Sequence, residues 1–122
     1  MTLNGKRVLL VEDEPIIAMA VEDMLGDLGC VVAGPALSAA AAEHLARNEP
    51  LDAALLDINM GDGASFPIAA ILRDRNIPFV FATGYGRTGV PADLGHVSVL
   101  AKPYTQENLA ATLLTLFAGT RS

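Results

Sequence analysis

Four short apolar runs in this chain of 122 residues each stop on a residue that can do chemistry. Val8-Leu9-Leu10-Val11 gives way to Glu12, Asp13 and Glu14, and Ala53-Ala54-Leu55-Leu56 runs into Asp57. Phe79-Val80-Phe81-Ala82 ends at Thr83, and Val97 to Ala101 ends at Lys102. As neighbouring strands of one sheet, these runs would bring Glu12, Asp13 and Asp57 within several ångströms of one another. Each like-charged pair then costs on the order of 1 to 4 kcal/mol, depending on local dielectric. Such a cluster calls for a cation. Hard oxygen ligands with no Cys or His beside them favour Mg2+, which takes one or two carboxylates together with waters and a substrate phosphate. Lys102 adds a second, fixed positive charge, and Thr83 adds a hydroxyl in line with the others. Taken singly, each is an ordinary surface group at a strand end; at successive strand ends they read as one site.

The elements that must position these groups follow from hydrophobic spacing. Arg7 to Val11 is a branched-aliphatic run of the kind buried on both faces of a parallel sheet. Pro15 fits a first helical turn, and Ile17, Val21, Met24, Leu25 and Leu28 follow at spacings of three and four, with Gly29 closing the helix. Cys30 to Ala33 reads as the second strand, Gly34-Pro35 as a turn, and Ser38 as the cap of an alanine-rich helix reaching about Asn48. After the strand that ends at Asp57, Asn59 to Gly63 is expected to be a polar loop and Pro67 to Arg75 a helix. Thr105 caps a last helix whose Leu109, Leu113, Leu116 and Phe117 recur at core spacing. Between the strands ending at Thr83 and Lys102, the segment Gly84 to Pro91 holds three glycines and a proline in eight residues. Any helix there is weak, because each interior Gly costs about 1 kcal/mol relative to Ala. Alternating strands and helices predict an α/β fold, a doubly wound, five-stranded parallel sheet with helices on both faces.

Composition narrows the function classes. Fourteen acids against eight bases give a formal charge of −6, and the bases are scattered, so no phosphate-tracking stripe exists and nucleic-acid binding is not expected. The longest charge-free stretch, Leu28 to Ala42, is interrupted by Gly34-Pro35, so no membrane-spanning helix is available. The N-terminus lacks the pattern of a signal peptide, and a cytoplasmic location is expected. Cys30 lies in an apolar run and reads as a packed small hydrophobe. The length suits one domain, 1–122, with a core of about 6–117.

Val11-Glu12-Asp13-Glu14-Pro15, Leu56-Asp57-Ile58-Asn59-Met60, Ala82-Thr83-Gly84 and Ala101-Lys102-Pro103-Tyr104 resemble the four signature segments of the receiver domain of two-component response regulators. The resemblance implies the CheY-like, flavodoxin-like strand order 2-1-3-4-5 with five helices, the fourth of them weak. It also implies a phosphoprotein in which Asp57 accepts a phosphoryl group from a sensor histidine kinase. Asp13, Asp57 and the backbone carbonyl of Asn59 would ligate Mg2+, with Glu12 acting through water. Lys102 would pair with the phosphoryl oxygens, Thr83 would donate its hydroxyl to one of them, and the backbone N–H groups of Asn59 and Gly84 would take others. Pro103 resembles the family's cis proline.

Two departures narrow the group. The position three before Lys102, aromatic in many receivers, is Val99, which leaves Tyr85 and Tyr104 as the candidates for a switch partner to Thr83. The segment after Asp57 is short and lacks the usual proline. Together with Ser65-Phe66-Pro67 and Pro78 to Gly86, this is similar to the FATGUY-type receivers, a resemblance that implies a kinase of the HWE or HisKA_2 type. Ile16, Met19 and Ala20 form a small apolar patch beside the pocket where a kinase could dock, or else are core and scattered surface residues. His44 and His96 are expected on the surface. The expected protein is a stand-alone receiver, a monomer or weak dimer, that works as a relay or through a protein partner. Two rivals are a receiver fragment of a longer DNA-binding regulator and an Mg2+-dependent phosphatase with an aspartate nucleophile. The absence of an Asp-x-Asp motif at Asp57 argues against the second.

Overall fold

Successive side chains of a strand point to opposite faces of its sheet, so an all-apolar strand needs cover on both sides. The computed structural model, which describes residues 3–60, 63–84 and 98–119, meets that demand with two layers of helices. The elements are β1 (Arg7–Val11), α1 (Pro15–Asp27), β2 (Val31–Ala36), α2 (Ala39–Asn48), β3 (Ala53–Asp57), β4 (Asn59–Met60), β5 (Gly63–Ala64), α3 (Phe66–Asp74), β6 (Phe79–Thr83), β7 (Ser98–Ala101) and α4 (Gln106–Gly119). Five strands form one sheet in the order β2-β1-β3-β6-β7, every neighbouring pair parallel. With the two-residue strands β4 and β5 set aside, this is the expected order 2-1-3-4-5. Four helices lie among the described residues; the weak helix expected after Gly84 falls outside them.

The strand alternation divides the core cleanly. Leu9, Val11, Ala54, Leu56, Phe79 and Phe81 face α2 and α3, where Ala42, Ala46, Ile68 and Leu72 cover them. Val8, Leu10, Leu55, Val80 and Leu100 face α1 and α4, where Val21, Leu25, Leu109 and Leu113 cover them. Phe81 packs edge to face against both Phe66 and Phe79, with centroids 5.6 and 5.5 Å apart, and locks the start of α3 onto β6. Among the described residues no helix is long and apolar enough to cross a membrane.

Local signals set most boundaries. Gly29 sits past the end of α1 at φ +89°, and a Cβ there would lie 2.8 Å from the Asn4 side-chain oxygen, so only glycine fits the turn. Ser38 caps α2 by accepting the Ala41 N–H at 3.2 Å. Thr105 and Asn108 cap α4 reciprocally, each side-chain oxygen accepting the other's backbone N–H.

Two expectations need correction. The second strand does not stop at a Gly34-Pro35 turn but runs through it to Ala36, with a register shift opposite Leu9 to Val11. A proline is tolerated there because β2 is an edge strand with no ladder partner on its outer side. The segment expected as an open loop, Asn59 to Gly63, contributes to an antiparallel pairing, Asn59 with Ala64 and Met60 with Gly63. Two-residue strands are too short for any alternation of polarity to announce them.

The core burial yields a direct test. Leu56 is fully buried in the central strand, so Leu56→Ala should cost about 2–5 kcal/mol in urea unfolding. Leu114, on the exposed side of α4, should cost no more than about 0.5 kcal/mol when truncated.

Candidate functional site

Each strand of the parallel sheet ends on the same edge, so the last residue of one strand meets the last residue of the next. Asp57 ends β3 in register with Ala82 of β6, and Thr83 ends β6 in register with Ala101, immediately before Lys102. The Lys102 N–H donates to the Thr83 carbonyl at 2.8 Å and the Ile58 N–H to the Ala82 carbonyl at 3.1 Å, which ties three strand ends together. Glu12 follows β1 and is fixed from the other side, its N–H donating to the Ala36 carbonyl at 3.0 Å.

The side chains converge as the sequence predicts. Carboxylate oxygens of Glu12, Asp13 and Asp57 all lie within 4.8 Å of one another. The Lys102 ammonium stands between two of them, 2.9 Å from Glu12 Oε1 and 3.2 Å from Asp57 Oδ1. Glu12 and Asp57 are each only 3% exposed and Thr83 only 1%, an unusual degree of burial for charged and hydroxyl groups at a strand end. Asp13 is half-buried. The other Glu12 oxygen, Oε2, accepts the Glu14 N–H at 3.2 Å, so Glu12 is held at both ends of its carboxylate.

Burial pushes the Glu12 carboxyl above the usual carboxylate range, and the neighbouring Asp57 adds to the rise, while the hydrogen bond from Lys102 opposes it. For Lys102 burial works against the charge, but the hydrogen bond to Glu12 and the charge of Asp57 outweigh it, and the ammonium is held above its ordinary range. Tyr104 is half-buried next to this cluster; burial first, then the charges of Glu12 and Asp57, push its phenol well above the ordinary tyrosine range.

Three carboxylates and one ammonium leave two negative charges at the pocket. An oxygen-only donor set matches a hard divalent ion such as Mg2+, and no thiol or imidazole lies in the group. The residues therefore fit that ion on charge and on donor chemistry.

The remaining predicted residues divide as follows. Asn59 enters β4 two residues after Asp57, and Gly84 is exposed just beyond β6. The Lys102-Pro103 peptide is cis, as is Gly34-Pro35. Val99 is partly buried against the α2 and α3 side of the core. His44 is exposed on α2 and bonds Asn48, whereas Tyr85 and His96 lie outside the described residues. The Cys30 thiol is buried and donates to the Leu3 carbonyl at 3.7 Å, and burial pushes its pKa up, in keeping with a packing role.

Beside the pocket is a feature that the sequence reading caught only in part. Ile16 is 82% exposed and Met19 63%, and Ile16 and Ala20 line an apolar groove of about 420 Å3 with Ile17, Met24, Pro103 and Tyr104. Helical spacing nominated α1's contribution. Its other wall comes from the segment after β7, more than seventy residues away, which no local pattern on α1 can indicate. Ahead of α3, Ser65 is 1% exposed, and its hydroxyl has no hydrogen-bond partner, a state that sequence reasoning does not single out.

A five-stranded parallel sheet with acids, a threonine and a lysine at successive strand ends is the architecture of a signalling receiver domain. The chain belongs to the response regulator receiver domain family, whose pattern matches residues 8–114. It is 31% identical over 110 residues to the phyllosphere-induced regulator PhyR of Methylorubrum extorquens, covering 87% of this chain and 41% of PhyR. The chain thus spans less than half the length of that curated relative. Its structure resembles SdrG from Sphingomonas melonis Fr1, with a TM-score of 0.79, 38% identity, and coverage of 95% of this chain and 98% of that one. A second SdrG structure, from Pseudomonas melonis Fr1 in its BeF3-activated conformation, has a TM-score of 0.78 and 40% identity over 91% of this chain and 95% of that chain. The receiver domain of the sensor histidine kinase PA1611 from Pseudomonas aeruginosa PAO1, with a magnesium ion in its active site cleft, gives a TM-score of 0.81 at 26% identity. That match covers 93% of this chain and 98% of the other. The likeness to PhyR and SdrG agrees with the FATGUY-type resemblance of the segment around Thr83.

Two measurements check the electrostatics. Lys102→Met removes the cation that Glu12 and Asp57 share, and unfolding in urea at pH 7 with chelator present should show a loss of about 1.5–3 kcal/mol. Tyr104 should stay protonated in the folded chain above pH about 10, where a free tyrosine ionises. Because folding favours the protonated phenol, this group's contribution to stability falls as pH rises past the unfolded value. In a Tyr85→Phe background, tyrosinate absorbance should appear only on unfolding at that pH; an ordinary titration of the folded chain would contradict the burial.

Proposed function

We propose that this chain is a phosphoryl-accepting receiver in a two-component relay, with Asp57 as the acceptor and a sensor histidine kinase as the donor. The observation that carries the reading is the convergence of Glu12, Asp13 and Asp57 within 4.8 Å around the Lys102 ammonium. In the transfer, an Asp57 carboxylate oxygen forms a bond to phosphorus while the bond from phosphorus to the donor imidazole nitrogen breaks, and the imidazole keeps that electron pair. The transition state is loose and charge-rich, so catalysis consists of positioning and neutralisation.

This chain's residues suit those tasks. Lys102, paired with Asp57 before transfer, turns to the incoming phosphoryl oxygens and leaves Glu12 as its second anchor. Thr83 donates its hydroxyl to a phosphoryl oxygen, and the N–H groups of Asn59 and Gly84 serve as further donors. Asp13, Asp57 and the Asn59 carbonyl would hold Mg2+, with Glu12 reached through water. The ion when bound supplies charge neutralisation at the phosphoryl oxygens. The PA1611 receiver, with magnesium in its cleft, and SdrG, with a BeF3-activated form, support the assignment by likeness.

The apolar groove between α1 and the segment after β7 opens beside Lys102, which suits a donor helix that must bring a histidine to Asp57. The FATGUY-type resemblance supports a donor of the HWE or HisKA_2 type. The near-complete coverage of SdrG favours a single receiver unit over 1–122. In this reading the unit acts in the cytoplasm, through a protein partner or as a relay. The partial coverage of PhyR favours a second reading, a receiver joined to an output segment.

Incubation with labelled acetyl phosphate or a phosphorylated kinase, followed by intact-mass measurement, tests the proposal. Wild type should gain one phosphoryl group in Mg2+, Asp57→Asn none, and Asp13→Asn should need at least about tenfold more Mg2+ for the same labelling. Labelling that survives Asp57→Asn would move the acceptor elsewhere, and no labelling of wild type by any donor would end the reading.

A further inference from the structure

Among the described residues three helices begin after a hydroxyl residue, and two of them use it. Ser38 precedes α2 in extended backbone, φ −142° and ψ 161°, and accepts the Ala41 N–H; Thr105 accepts the Asn108 N–H at the start of α4. Ser65 occupies the same place before α3 yet makes no cap bond. Its backbone, φ −84° and ψ 6°, is not the extended conformation that aims a cap side chain at the helix. The hydroxyl is buried without a partner, so the fold bears its desolvation and gains nothing in return.

The location gives this idle group a use. Asn59 pairs with Ala64 and Met60 with Gly63, so Ser65 directly follows the strand paired with the segment after Asp57. In the proposed function Asn59 lends its backbone N–H to the phosphoryl group and its carbonyl to the metal. A shift of Asn59 on loading would act through that pairing on Ala64, the residue before Ser65. Pro67 has no N–H, so within the first turn the Ile68 N–H is the donor a Ser65 cap can take.

We infer that Ser65 is a positioning residue whose hydroxyl is idle in the unloaded chain and caps α3, on the Ile68 N–H, once Asp57 carries a phosphoryl group. Loading then tightens the start of α3, on the face of the sheet opposite α1 and α4, and does so without an aromatic at position 99. This rests on the phosphoacceptor reading of Asp57. An N-cap of ordinary strength makes the effect about fivefold in the opening equilibrium of that turn.

The test uses the full chain with Mg2+ and beryllofluoride as the probe, comparing wild type, Ser65→Ala and Ser65→Thr. Without the probe, Ser65→Ala should melt no lower than wild type, because it loses no bond. With it, wild type should gain thermal stability and its Ile68 amide should exchange about fivefold more slowly; Ser65→Ala should gain less stability and show no slowing, and Ser65→Thr should restore the slowing. Equal gains in wild type and Ser65→Ala, or a lower melting point of unloaded Ser65→Ala, would overturn the inference while leaving the phosphoacceptor reading intact. No response of wild type to the probe would overturn both.

Discussion

The structure turns on an electrostatic debt: three carboxylates are gathered where the sheet's strands end, and one ammonium cannot neutralise them. Glu12, Asp13 and Asp57 within 4.8 Å are a configuration that an isolated chain in water would not hold. The fold maintains it because the strands carrying these acids are buried on both faces, and nothing about their apolar interiors can yield. Lys102, anchored through its own backbone to Thr83, delivers the partial compensation. The residual charge suits a divalent ion.

The two-sided core also explains why chemistry is confined to one edge. Helices cover both faces, so the polar groups a strand can present without loss lie at its ends. The charged groups gather along one rim, bounded on one side by the apolar groove between α1 and the residues after Lys102. A charged pocket and an exposed apolar strip thus lie side by side on that rim. The opposite flank is the β4 and β5 hairpin, which joins Asp57 to the start of α3 over a few residues.

How much of this was legible in the sequence varies by residue for physical reasons. Asp57, Glu12, Asp13, Thr83 and Lys102 could be read because each ends a run whose burial pattern is local, and parallel topology then aligns the ends. The caps at Ser38 and Thr105 were legible because a cap bond spans three residues. Ser65 carries the same local signature, followed by a proline in the first turn, and does not form the bond. It lies between the β4–β5 pairing and the packing of Phe66 against Phe81, neither of which a local pattern announces. Pro35 misled for a related reason: a proline stops a central strand but not an edge strand, and strand position in the sheet is not a local property.

By itself the sequence determined the alternation of buried strands and amphipathic helices, and hence the single edge on which acids, hydroxyl and lysine meet. Hydrophobic periodicity and strand-end chemistry are short-range, and so can be read residue by residue. Only the tertiary structure decided distances and partners. It placed the Lys102 ammonium between Glu12 and Asp57, walled the α1 groove with Pro103 and Tyr104, and left the Ser65 hydroxyl buried and unbonded. Each of these joins residues far apart in the chain or depends on what lies across a strand, and burial and electrostatics act through space, not along the backbone.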